Sequence, residues 1–204
     1  MKTIAFFNSK GGAGKSTLAV HLGVAAAYDR PTALLDADPQ GTLRAWGGAR
    51  TLESPVVLAV SAASLAVDLE MLRSKGVELS VLDCPPYITA ESARLVELVD
   101  FVVVPVQPTM PDIAGCNHAV EIIKSTGKPF AFVLNRAPAR APEVAQALEV
   151  LNNWGEVCPV IIGDRRSFSR ALAGGQSVTE FEAGSAAAKE AADACSWILS
   201  KIKG

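Results

Sequence analysis

Residues 7 to 17 constrain this chain more than any other stretch. Phe7-Asn8-Ser9-Lys10-Gly11-Gly12-Ala13-Gly14-Lys15-Ser16-Thr17 follows directly on the apolar run Thr3–Phe7. Gly11, Gly12 and Gly14 let the backbone turn tightly and point successive N–H groups inward, with no side chains in the way. A helix is expected over 16–28, and its mouth offers unpaired N–H groups and a positive dipole end to an anion. Lys15 can reach the β- and γ-phosphates of a nucleoside triphosphate there, and Ser16 can offer its hydroxyl to Mg²⁺. The plain pattern of such a loop places glycine six residues before Lys15, and Ser9 stands there instead. Lys10 adds a second lysine on the outer side of the loop. That position suits the phosphates of a facing subunit better than those of its own.

A nucleotide triphosphate with its metal and an attacking water also needs carboxylates at strand ends near the loop. Thr32-Ala33-Leu34-Leu35-Asp36-Ala37-Asp38-Pro39-Gln40-Gly41 is an apolar strand ending in two carboxylates and a turn signal. Leu79-Ser80-Val81-Leu82-Asp83-Cys84-Pro85-Pro86 is a second, with Asp83 at the carboxyl end, where ligands bind in open parallel sheets. Phe130-Ala131-Phe132-Val133-Leu134-Asn135-Arg136 ends a third strand with an amide able to pair with the edge of adenine.

These motifs resemble the deviant Walker A class of partition and positioning ATPases, whose best-known members are ParA, Soj and MinD. The likeness extends from Lys2 to about Ser185 and includes the proline-punctuated segment Val102–Thr109, which in that family feels nucleotide state. It implies ATP and Mg²⁺ as ligands, with Gly11, Gly12, Ala13, Gly14, Lys15, Ser16, Thr17, Asn135 and Arg136 around the nucleotide. Ser16, Asp36 and Asp83 fall to the metal side, Asp36 through the hydration shell and Asp83 as the Walker B residue. Asp38 orients or activates the hydrolytic water, and Lys10 crosses a homodimer interface to the partner's nucleotide. Thr42 replaces the asparagine frequent in the family. The implied activity is slow, partner-stimulated ATP hydrolysis that switches a sandwich dimer on and off nonspecific DNA. A ParB-like adaptor would link the switch to cargo, here expected to be a plasmid.

Apolar segments near 3–8, 32–36, 56–60, 79–83, 101–105, 130–135 and 158–162 read as strands buried on both faces. The clearest helices are expected over 16–28, 62–74, 90–98, 112–125, 141–153 and 185–202. This alternation predicts an α/β fold, a doubly wound and mostly parallel sheet with helices on both faces, as one domain over residues 1–204. A first strand at residue 3 leaves no room for a preceding helix-turn-helix, so sequence-specific DNA reading is not expected. With no secretory signal or membrane-length apolar run, a cytoplasmic protein is expected, nucleoid-associated in the ATP state. Cys84, Cys116, Cys158 and Cys195 are widely spaced and read as core fillers rather than a zinc or disulfide framework.

The net charge of −2 does not advertise a nucleic-acid binder, but residues 165–204 hold six basic residues against four acidic ones. Arg165, Arg166 and Arg170 are the candidates for DNA contact, followed by Lys201 and Lys203. A MinD-like membrane tail is the rival reading of the last ten residues. Its apolar part is barely one turn long with two flanking lysines, short of a stable interfacial helix. A cargo-positioning ATPase of another kind or a metabolic P-loop enzyme remains an alternative. A nitrogenase iron-protein type would need paired cysteines for a cluster.

Overall fold

The computed structural model describes residues 1–87 and 89–202. Its elements, in chain order, are β1 (Lys2–Phe6), α1 (Lys15–Ala27), β2 (Thr32–Asp36), α2 (Thr42–Ala49), β3 (Val56–Ala59), α3 (Leu65–Ser74), β4 (Leu79–Asp83) and α4 (Ala90–Glu97). They continue as β5 (Phe101–Val106), α5 (Met110–Thr126), β6 (Phe130–Leu134), α6 (Pro142–Trp154), β7 (Glu156–Val157), α7 (Arg166–Ala173), α8 (Val178–Phe181) and α9 (Ala186–Ser200).

The strands form one sheet in the order β3-β2-β4-β1-β5-β6-β7, every pairing parallel. Strands β2, β4 and β5 are buried at every residue. That is why they read as continuous Val/Leu/Ala runs rather than alternating ones. One face packs against α1, α2 and α7–α9 through Leu22, Trp46, Phe168 and Val178. The opposite face packs against α3–α6 through Leu69, Leu95, Ile113 and Leu151. All four cysteines are buried.

Register decides what meets at the carboxyl edge. Asp83 pairs with Phe6 on one side and with Asp36 on the other. The loop leaving β1 after Phe6 therefore starts beside two carboxylates, Asp36 and Asp83, that lie 30 and 77 residues further along the chain.

The last strand differs from expectation. It forms at Glu156–Val157 rather than over 158–162, because Pro159 has no N–H to give the ladder. The segment still follows β6, with the amides of Cys158 and Ile162 donating to Phe132 and Leu134 at 2.8 and 2.9 Å. Helix α3 starts at Leu65 rather than 62, since Ser61 and Ser64 bond each other's amides in a turn. Helices α2, α7 and α8 were not among the clearest expectations. All three are short, and α2 carries Gly47 and Gly48, so little propensity marks them in isolation.

Candidate nucleotide site at the carboxyl edge of the sheet

A cavity of about 950 Å³ opens at this edge. Its walls come from the phosphate loop (Gly11, Gly12, Gly14–Thr17), from Asp38 and Gln40 after β2, from Asn135 and Arg136 after β6, and from α7. Gly14 caps α1 in the left-handed region at φ 99°, which disfavours any residue with a Cβ. Space forbids one as well, because a Cβ there would stand 2.0 Å from the Asn135 amide nitrogen. That nitrogen donates to the Ala13 carbonyl at 2.8 Å. Asn135 is thus both cavity wall and brace for the loop, and Ala13 serves the loop through its carbonyl while its side chain is buried.

The Lys15 ammonium donates to the Lys10 carbonyl at 3.1 Å, folding back over the loop it belongs to. Burial lowers its pKa, while Asp83 and Asp38 nearby pull the other way. Asp83 is fully buried, and neither of its carboxylate oxygens has a hydrogen-bond partner among the described residues. Burial pushes its pKa up to about 7, with Asp36 and Asp38 adding to the rise and the neighbouring Ser16 and Lys15 opposing it. An unbonded buried carboxylate costs stability unless something else takes its lone pairs. Among the groups this loop geometry admits, a divalent cation fits such a carboxylate beside a serine hydroxyl.

Asp36 is placed differently. Its side chain is buried, but one oxygen accepts the Asp38 amide at 3.1 Å and the other accepts the Arg44 amide at 3.0 Å. Asp38 accepts the Gln40 amide at 2.9 Å and lines the cavity. Lys10 runs along α5, its Cε 3.2 Å from where a Cβ on Gly115 would be. Ser9 fastens the same edge by donating to the Gly115 carbonyl at 2.7 Å, and Gln107 donates to the Gly12 carbonyl at 2.9 Å.

The basic residues of the carboxyl-terminal segment part company. Arg165 is held by Glu190 in a forked ion pair at 3.1 and 2.6 Å. Lys201 pairs with Glu156 and lies 4.3 Å over the Trp197 ring. Arg166 and Arg170 are exposed and join none of the ion pairs among the described residues, Arg166 lying on the cavity wall. Lys203 lies outside the described residues. Among the described residues of the segment, Arg166, Arg170 and Lys189 are the cations outside any ion pair.

Several residues of the site region were missed by sequence reasoning. Arg44 contacts Asp36, and Asp164 on the cavity wall pairs at 3.5 Å with Arg136, itself expected near the nucleotide. Behind the cavity, α1 and α2 grip the segment after α7. His21 accepts the Val178 amide at 2.9 Å, Trp46 donates to the Gln176 carbonyl at 3.2 Å, and Arg50 forks onto Glu180 at 2.8 and 3.0 Å. None of these carries a sequence motif. Only the unusual burial of polar residues in short helices points to them, and burial is not readable from one sequence. Among the described residues no helix is long and apolar enough to cross a membrane.

Comparison with known proteins agrees with this geometry. Two relatives carry the name maintenance of carboxysome distribution protein A. The one from Halothiobacillus neapolitanus is 29% identical over 98% of this chain and 95% of its own length. The one from Gloeobacter kilaueensis is 31% identical over 93% and 89%. The apo McdA structure from Cyanothece superposes with a TM-score of 0.83 at 18% identity, covering 98% of this chain and 99% of its own, a likeness of fold. Residues 4–178, which include the phosphate loop and the three strand-end motifs, match the CobQ/CobB/MinD/ParA nucleotide binding domain, and the chain belongs to that family.

Proposed function

We propose that this protein is an ATP-driven positioning switch: a sandwich homodimer that forms with ATP, binds nonspecific DNA, and is released from it by hydrolysis that an adaptor stimulates. The observation that supports this most is the orphaned Asp83 carboxylate, buried beside Ser16 and Lys15 at the mouth of α1. In this reading Ser16 and Asp83 hold Mg²⁺, with Asp36 behind them, and the ion neutralises charge on the bound phosphates. Gly11–Thr17 cradle the phosphates and Asn135 and Arg136 lie toward the base. Asp38 orients the water that attacks the γ-phosphate.

Lys10 is the residue that turns nucleotide binding into dimerisation. Its stem lies on the outer flank of the loop against α5, so its ammonium is available to a facing subunit. Loss of the γ-phosphate removes the contact that distinguishes the dimer from two monomers. Of the candidate DNA contacts, Arg166 and Arg170 stand outside the ion pairs among the described residues, and dimerisation doubles them.

For the cargo, the names of the two nearly full-length relatives favour a carboxysome-type compartment. Plasmid partition with a ParB-like adaptor is the second reading, favoured by the Asp36–Gly41 motif that resembles ParA. Fluorescence anisotropy of a random-sequence duplex, with ATP–Mg²⁺, with ADP–Mg²⁺ and with neither, tests the switch. Binding only with ATP, weakening steeply with salt, is the expected result. ATP binding without DNA binding in any state would transfer the weight to a metabolic or membrane-associated ATPase.

A further inference from the structure

Asp36 is the most enclosed of the three strand-end carboxylates to have partners, and Arg44 supplies most of them. The amide of Arg44 donates to Asp36 Oδ2 at 3.0 Å and its side-chain Nε lies 3.4 Å from the same atom. A second guanidinium nitrogen reaches the Pro39 carbonyl at 3.4 Å. Arg44 therefore straddles the turn from Asp36 to Gly41, touching it at both ends. The turn is closed from within by the Asp38 amide on Asp36 Oδ1, the Gln40 amide on Asp38 Oδ1 and the Gly41 amide on the Asp38 carbonyl. Gly41, at φ 69°, leaves room for the arginine, since a Cβ there would stand 2.8 Å from the guanidinium.

Charge gives the contact a purpose. Asp36 and Asp38 lie close enough to Asp83 to disfavour its ionised form. Lys15 opposes that repulsion from the phosphate-loop side, near Asp83 and Asp38. Arg44 opposes it from the other side, at Asp36. A turn that must present Asp38 to the cavity would otherwise be pushed outward by its neighbours.

We propose that Arg44 is a positioning residue for hydrolysis, acting through Asp36 to hold the Asp36–Gly41 turn so that Asp38 faces the nucleotide. The inference rests on the ATPase reading above. The arginine is half exposed, so its role is in geometry rather than in fold stability. Lysine cannot reproduce it, because one ammonium does not span two acceptors as the planar fork does.

The test measures steady-state ATP turnover and ATP–Mg²⁺ affinity for wild type, Arg44→Ala, Arg44→Lys, Asp36→Asn and the Asp36→Asn/Arg44→Ala double variant. Misplacement of a catalytic group by about 1 Å can cost roughly 100-fold in rate. Arg44→Ala is expected to lower kcat by about ten- to a hundredfold with nucleotide affinity within about threefold. Arg44→Lys should recover only part of the loss, and the double variant should be no slower than Asp36→Asn alone, as for two residues acting as a unit. Unchanged kcat in Arg44→Ala, full recovery by lysine, or multiplicative losses in the double variant would overturn the role. So would a fall in affinity that matches the fall in rate. Wild-type protein that binds ATP without turning it over would instead overturn the ATPase reading, and this role with it.

Discussion

Buried charge is treated in two opposite ways in this molecule. At the carboxyl end of β4, Asp83 is fully buried with neither oxygen bonded among the described residues. Where α2 meets α8, Arg50 and Glu180 are almost as deeply buried, with side chains 5% and 10% exposed, yet they close on each other in a fork. Arg50 also donates to the Ser54 and Gly175 carbonyls and lies 4.8 Å over the Trp46 ring. The satisfied pair belongs to the scaffold, since every donor it buries finds an acceptor. The orphan fits the proposed ligand site, where a bound cation would recover its cost.

The largest expected effect comes from breaking the satisfied pair. Arg50→Ala leaves Glu180 buried without its cation and should cost about 3–5 kcal/mol in urea unfolding. ATP affinity of the protein that remains folded should be unchanged. A loss under about 1 kcal/mol would mean that the pair is solvated in practice and would remove one side of the comparison.

Lys15→Ala acts on the other side. It removes the cation proposed to meet the phosphates, and ATP–Mg²⁺ affinity should fall roughly 100-fold by calorimetry. The unfolding midpoint of the nucleotide-free protein should move far less than in Arg50→Ala.

Asp83→Asn sharpens the contrast because it should improve the fold while destroying the site. The folded-state pKa of Asp83 lies near 7, above its unfolded value. Its contribution to stability is therefore present at low pH and lost as pH rises through about 7. At pH 8 the uncharged amide should stabilise the nucleotide-free protein by on the order of 1–2 kcal/mol and abolish the Mg²⁺ dependence of nucleotide binding. A destabilised variant at pH 8 would show that the carboxylate is already satisfied without ligand.

The smallest effect concerns His21, a buried polar group of the satisfied kind. It takes Thr17 and Val178 as partners, and burial lowers its pKa to about 4. A lowered histidine favours the folded state above its unfolded pKa and loses that advantage as pH falls toward 4. Wild type should lose about 1 kcal/mol more than His21→Gln between pH 7 and 5, read from unfolding curves at each pH. Parallel curves would mean that the imidazole reaches water.

Much of the site could be read directly from the chain. The glycines and Lys15 form a contiguous loop between a strand and a helix, and backbone chemistry alone dictates what such a loop can hold. Asp36 and Asp83 end apolar runs, so a parallel sheet had to bring them to one edge. The division of labour between them was not legible. Only register and side-chain direction separate Asp83, left unbonded, from Asp36, engaged by Asp38 and Arg44. The same holds for the basic segment, where Glu190 and Glu156 neutralise Arg165 and Lys201 from 25 and 45 residues away.

The parallel α/β layout, the glycine-rich loop and the carboxylates around it follow from the order of residues along the chain. These depend on local backbone conformation and on hydrophobic periodicity, both properties of neighbouring residues. Packing decided which polar groups are satisfied and which wait: Arg44 on Asp36, Arg50 on Glu180, His21 on Val178 and, among the described residues, nothing on Asp83. Hydrogen bonds and ion pairs form between groups that packing brings within about 3 Å, and no spacing along the chain encodes that meeting.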